Sequence, residues 1–324
     1  MPDWHAIIIG GGPAGLTAGL YLCRGNWRTL LIEKASVGGY IMNVERIENY
    51  PGYSQGIVGS QLGMEMKEQA LNYGLKIERA EVMAVRDVKN DNKSVICTNS
   101  TSYTTRAIII AGGSVPKKLG VPGEDKFQGN GVINCALCDG GQFTDRVLAV
   151  CGGGDAGVTE ALYMANIASK VILIEAMPVL TATAVLQHRI KENPKIEVHC
   201  NVRVESIIGE SKIEGIEIFS DDIQKEVLKV DGVLVHVGLN PNTDYLKGVV
   251  PLDEQKQVIV NEFMETEIPG LFAAGDIRSG SPRQVSTAVG DGATVGITVQ
   301  KYLQKTPMVT YKQDDDLPFN GGFV

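Results

Sequence analysis

Two glycine-rich turns, 142 residues apart and in the same local setting, constrain this 324-residue chain more than any other feature. The first is GGGPAG at residues 10–15, which follows an apolar stretch from His5 to Ile9. A helical run, LTAGLYLCRG, comes next, and then the apolar segment TLLIE. The second copy reads RVLAVCGGGDAG (residues 146–157), VTEALYMANIASK and VILIE. Both apolar segments close on Ile-Glu, with Glu33 in the first copy and Glu175 in the second.

Strand, turn, helix and strand with G-x-G-x-x-G in the turn is the dinucleotide-binding pattern. Gly10 allows the tight turn, Gly12 lets a pyrophosphate approach the backbone, and Gly15 lets helix and strand pack closely. Pro13 and Ala14 complete the first loop. The helix start offers free N–H groups and the positive end of a dipole to the phosphates. Glu33 lies 23 residues after Gly10, near the distance expected of an acid that binds ribose hydroxyls. The second copy supplies Gly152, Gly154, Asp155, Gly157 and Glu175 in the same places. A lone glycine motif is weak; two copies in matching context give an α/β chain with two Rossmann-like domains of three ββα layers.

Other apolar segments fit that architecture. TTRAIIIAGG (104–113), DGVLVHVGLNPNT (231–243) and PGLFAAGD (269–276) read as buried strands ending in turns. Arg283 to Gln300 reads as a helix whose small residues suit close packing. The order of segments places the second unit inside the first. The expected division is residues 1–112 and 245–324 for the first domain and 113–244 for the second. The stretch 310–324, with Tyr311, Phe319 and Phe323, reads as a tail.

With 44% apolar and 21% charged residues, the chain can bury a large core, and a formal charge of −8 argues against nucleic-acid or anionic-membrane partners. No apolar run nears the roughly 18 residues of a membrane span. The start, MPDWHAIIIGGG, shows no signal segment, so a cytoplasmic location is expected.

Of six cysteines, only Cys135 and Cys138 are close, spaced C-x-x-C. In a reducing compartment that spacing points to redox or metal chemistry. Zinc needs four ligands, and the histidines His5, His188, His199 and His236 are scattered, so redox chemistry is the reading. Thiolates are the nucleophiles of disulfide exchange, and a helix start favours them. Cys23, Cys97, Cys151 and Cys200 read as packing residues.

Together GGGPAG, VGGYIMNVERIENYPGY (37–53), CALCDG (135–140), GGGDAG, and AAGD followed by Arg283-Gln284 resemble low-molecular-weight thioredoxin reductases over roughly residues 5–305. That resemblance implies FAD in the first domain and a nicotinamide nucleotide in the second. It implies a Cys135/Cys138 dithiol that takes electrons from the flavin and passes them to a thioredoxin-like protein. Cys138 would face the flavin, Cys135 would attack the incoming disulfide, and Asp139 would be the acid. It further implies FAD contacts at Gly39, Asn49, Val82, Gly112, Asp276, Arg283 and Gln284, a homodimer, and a rotation of the nucleotide domain during turnover. One contact departs from the pattern: Tyr40 stands where the family usually has Gln.

The second nucleotide site departs further. NADPH-using relatives carry H-R-R-x-x-x-R after the strand; here the stretch is EAMPVLT (175–181). Glu175, Ala176, Met177 and Thr181 replace the basic groups. A carboxylate about 4 Å from a 2′-phosphate costs roughly 1 kcal/mol in water-like surroundings and roughly 4 kcal/mol nearer the protein. It can accept hydrogen bonds from the two ribose hydroxyls of NADH instead, so NADH is expected over NADPH. Two alternatives stay open at this stage: a non-pyridine donor such as ferredoxin or a deazaflavin, and a small-molecule dithiol oxidase that uses oxygen.

Overall fold

A computed structural model describes residues 2–220 and 224–305. The chain divides into two compact units, residues 1–114 with 241–324 and residues 115–240. The second crossing falls between Asn240 and Pro241, four residues before the expected boundary after residue 244. Leu239–Pro241 pairs with Ser114–Pro116, so both crossings fall within one short two-stranded ladder.

In the first unit the strands run in the order Lys76–Arg79, Thr29–Glu33, Trp4–Ile9 and Ser102–Ile110, all parallel. The long strand Ser102–Ile110 serves two neighbours. Its C-terminal end pairs in parallel with Leu271–Ala273, and its N-terminal half pairs antiparallel with Lys93–Cys97 and, beyond it, Val82–Arg86. Both faces of the parallel sheet are covered, which is why its strands are apolar almost throughout. Ile8, Leu31, Ile109 and Phe272 pack among residues of helices Pro13–Arg24 and Val285–Lys305. Ile7, Ile9, Leu30, Ile32, Ile108 and Ile110 form the core of the opposite face. Each such side chain contributes about 1.5–3 kcal/mol when fully buried.

The two helices touch closely. A Cβ on Gly296 would lie 2.8 Å from the Cβ of Tyr21, and one on Gly292 would collide with the Ala14 carbonyl. The second helix begins at Val285, two residues later than the sequence suggested. Arg283 has φ 57, a left-handed conformation that a helix cannot include.

The second unit repeats the plan. Ile196–Cys200, Lys170–Glu175, Val147–Cys151, Gly232–Val235 and Val132–Ile133 form a parallel sheet. Leu148, Val150, Leu173 and Leu234 pack with Val158, Ala161 and Met164 of helix Asp155–Met164. Ala149, Ile172 and Ile174 pack with Ile207, Ile216 and Ile218 of a three-stranded antiparallel sheet. Each unit is therefore helix, parallel sheet and antiparallel β layer, the ββα arrangement expected from the repeat. No helix among the described residues is long and apolar enough to cross a membrane.

Candidate functional site

Each parallel sheet delivers a glycine turn at the carboxyl ends of its strands, where open α/β sheets bind ligands. In the first unit, Gly10 has φ 110, and a Cβ there would collide with the Ala111 carbonyl and lie 2.9 Å from the Gly112 Cα. Only glycine fits both the angle and the approach. Gly12 caps helix Pro13–Arg24 with no side-chain hydrogen bond, so the first N–H groups stay open to a ligand. The space beside Gly12 is bounded by Gly39, whose φ is 69 and whose added Cβ would lie 2.8 Å from the Gly12 Cα.

Glu33 has a definite task here. Its Oε2 accepts from the Gly11 N–H at 2.7 Å and its Oε1 from the Ala35 N–H at 2.7 Å. The carboxylate ties the glycine turn to the strand end. The Ala80 N–H donates to the Glu33 carbonyl at 3.1 Å, which brings the segment leading to Val82 beside this strand end.

The second turn is built alike. Gly152 has φ 118, and a Cβ there would collide with the His236 carbonyl. Gly154 caps helix Asp155–Met164 without a side-chain bond. Glu175 Oε2 accepts from Gly153 at 2.6 Å and Oε1 from Met177 at 2.8 Å. The Thr181 and Ala182 N–H groups donate to the Gly153 carbonyl at 3.0 Å, and Asp155 Oδ1 accepts from Thr183 at 2.7 Å. The stretch that replaces the basic run is thus folded onto the glycine turn. Arg203 follows two residues bonded to Met177 and Glu175, but its guanidinium lies over the Phe219 ring, 5.7 Å from the centroid.

Cys135 and Cys138 form a disulfide with Cα atoms 5.4 Å apart. Cys135 is the N-cap of the short helix Ala136–Asp139, and its Sγ accepts from the Cys138 N–H at 3.1 Å. Cys135 is 7% exposed, whereas Cys138 and Asp139 are exposed. A Glu160 carboxylate oxygen accepts from the Ala136 N–H at 2.6 Å, a contact that sequence reading missed because 24 residues separate the two.

The first unit gathers other candidates. Asn49 Nδ2 donates to Gln284 Oε1 at 2.9 Å, joining residues 235 positions apart. Gly275 precedes Asp276 and packs against the Ala14 side chain at the helix start: a Cβ on Gly275 would lie 2.9 Å from that of Ala14. Burial pushes the Asp276 carboxyl above the usual range; Arg283 opposes this, while Asp291 reinforces it. Arg278 was also missed. Its Nε and second terminal nitrogen reach the two Asp291 oxygens at 2.6 and 2.9 Å, and Asp291 Oδ2 also accepts from Gly275 at 3.0 Å. That fork fixes the loop carrying Asp276. Beside Gly112 the buried Tyr245 hydroxyl has no hydrogen-bond partner. An open helix start, a glycine cradle and an orphaned hydroxyl suit a dinucleotide.

Cys23, Cys97, Cys151 and Cys200 are free thiols. Burial pushes Cys23 up to about 11 and Cys151 up to about 12, so both stay protonated and unreactive at neutral pH. No cluster of metal-ligating side chains occurs among the described residues. Tyr311, Phe319 and Phe323 lie outside the described residues.

Two dinucleotide-binding units, one carrying a disulfide at a helix start, define a protein built for nucleotide-linked redox chemistry. Residues 4–292 match the family described as pyridine nucleotide-disulphide oxidoreductase. A thioredoxin reductase of Listeria innocua is 39% identical over 304 residues, covering 93% of this chain and 94% of the relative. The crystal structure of Lactococcus lactis thioredoxin reductase superposes with a TM-score of 0.91 at 34% identity, covering 94% of this chain and 100% of that one. That of the T. acidophilum thioredoxin reductase gives 0.89 at 31% identity, covering 94% and 99%. The chain belongs to the pyridine nucleotide-disulphide oxidoreductase family. It is a flavoprotein disulfide reductase that uses FAD and a pyridine nucleotide.

Proposed function

We propose that this protein passes electrons from NADH, through FAD, to the Cys135–Cys138 disulfide and on to a thioredoxin-like protein. The pairing of a disulfide with a glycine turn in one unit, and a second such turn in the other, supports the reductase part of this reading. FAD, when bound, supplies a two-electron relay between nucleotide and disulfide. Gly10, Gly12, Pro13, Ala14 and Gly15 would hold its pyrophosphate at the helix start, and Glu33 its adenosine ribose. Gly39, Asn49, Val82, Gly112, Asp276, Arg283 and Gln284 would line the remainder. Gly152, Gly154, Asp155 and Gly157 would hold the nicotinamide nucleotide.

The preference for NADH rests on one observation. The Glu175 carboxylate is anchored by two backbone N–H groups, from Gly153 and Met177, so it cannot swing aside for a phosphate. Its remaining lone pairs would accept from ribose hydroxyls.

Reduction of the Cys135–Cys138 bond takes two electrons and two protons; Cys135 would leave as the thiolate that attacks next, and Asp139 would supply a proton on the flavin-facing Cys138 side. Cys135 Sγ would then attack the partner's disulfide, and Cys138 would resolve the mixed disulfide. The partner leaves as a dithiol and the Cys135–Cys138 bond is restored. Because Cys135 is the buried member, its sulfur must be uncovered before that attack. We further propose that the protein works as a cytoplasmic homodimer, which a sedimentation measurement checks.

Anaerobic mixing of the yellow protein with NADH, NADPH and reduced ferredoxin in turn tests the donor. Rapid bleaching by NADH alone is expected. Equal bleaching by NADPH, or bleaching by ferredoxin with no response to either nucleotide, overturns it. Oxygen-dependent turnover of a dithiol without nucleotide would favour the oxidase reading instead.

A further inference from the structure

His236 has no place in the chemistry above, yet its setting is unusual. It follows the strand Gly232–Val235, and its N–H donates to the Cys151 carbonyl at 2.8 Å. Its own carbonyl is what a Cβ on Gly152 would strike, and its Cβ lies 3.5 Å from where a Cβ on Gly157 would sit. The imidazole is 5% exposed, and Nε2 makes no hydrogen bond. Buried polar side-chain atoms without a partner are uncommon in native proteins, so this one calls for an explanation.

Nε2 points at Glu160. The separation from Glu160 Oε2 is 3.5 Å, within ion-pair reach but outside hydrogen-bond geometry. The Glu160 side chain is 15% exposed, and the same Oε2 accepts from the Ala136 N–H at 2.6 Å. Ala136 is joined directly to Cys135. A half-buried carboxylate therefore stands one amide away from the sulfur that must become a thiolate, with an imidazole behind it. The three groups come from separate places in the unit: a helix following the glycine turn, a strand end, and the C-x-x-C segment.

We propose that Glu160 is a positioning residue for the Cys135–Cys138 pair, and that His236 sets how strongly the Glu160 charge acts on it. This rests on the reading of that pair as the redox dithiol. The Ala136 contact holds the backbone next to Cys135. The carboxylate disfavours a second negative charge nearby and so favours the disulfide over the thiolate-bearing dithiol. His236, presenting nitrogen to that carboxylate, weakens the effect. The disulfide balance is thereby tied to the residue on which the second glycine turn rests.

The test is equilibration of the FAD-loaded full chain with dithiothreitol buffers of graded ratio. The Cys135–Cys138 state is read by alkylation and peptide mass. E160Q keeps an acceptor for Ala136 and removes the charge. It should shift the balance toward dithiol by roughly threefold to tenfold, the size of up to about one proton-affinity unit. H236N should shift it the opposite way, and that shift should vanish in the E160Q background, because the two act through one interaction. A merely structural role for His236 would give the same shift in both backgrounds and overturns the proposal. So does an E160Q balance within about twofold of the parent, the margin within which independent sites add. If E160Q fails to fold, H236N alone decides: a shift toward dithiol, or none, overturns it. A pair that yields no thiols at any buffer ratio would refute the redox reading itself. A pair that cycles normally but ignores Glu160 would refute only this inference.

Discussion

Glu175 Oε2 accepts a hydrogen bond from the Gly153 N–H at 2.6 Å, and Glu33 Oε2 accepts one from Gly11 at 2.7 Å. The shared strand ending is thus a shared closure: in each unit a carboxylate at the end of the second strand braces the glycine turn of the first. The bracing also fixes a negative charge at the turn's mouth, which is where a nucleotide's ribose would lie.

Replacing Glu175 with Ala should act twice. Two backbone N–H groups lose their acceptor, for about 2 kcal/mol of destabilisation in denaturant unfolding. The ratio of kcat/KM for NADH over NADPH should fall by about tenfold or more as the like-charge penalty disappears. An unchanged ratio would leave the glutamate as a brace only.

Cys138→Ser should separate the two half-reactions. The variant should stay yellow and be bleached by NADH at close to the parent rate. Turnover of a protein disulfide should drop by at least about a thousandfold, because no dithiol can form. Stopped-flow absorbance and a coupled disulfide assay read the two halves independently.

Arg278→Met removes one side of a largely buried fork and leaves the Asp291 carboxylate without its cation. Breaking such a pair costs about 3 kcal/mol. The melting temperature of the variant should fall accordingly, and FAD should dissociate more readily on dilution, because the Gly275–Asp276 loop loses its anchor. Loss of stability with unaltered FAD retention would show that the fork serves the fold alone.

Asp276 carries a pH signature. Burial raises its carboxyl, so folding disfavours the ionised form relative to the unfolded chain. The cost of ionising it is absent at low pH and sets in as pH rises through the folded value. Flavin-free Asp276→Asn should therefore be more stable than the parent at pH 7. That gap should close as pH falls to about 4 and below, where a free carboxyl takes up its proton. The same variant should bind FAD more weakly in a fluorescence titration, a local trade of stability for function.

Features that obey local rules are legible in the chain alone. Gly10 and Gly152 need backbone angles near φ 110 and 118 that other residues resist, so the two turns are visible as letters. Apolar strands buried on both faces, a helix start after each turn, and two cysteines spaced to meet across one helical turn are local as well. Which distant groups meet is settled by the packing of the folded chain. Asn49 finds Gln284 across 235 positions, Arg278 grips Asp291, and Glu160 reaches Ala136. His236, one of four scattered histidines in the sequence, becomes a buried group facing a carboxylate. Such contacts depend on how strands and helices stack, and a polar residue carries no periodic mark of the partner it will face. The glutamates show both halves: their position at strand ends was legible, but that each braces a glycine N–H required the turn and strand to be folded side by side.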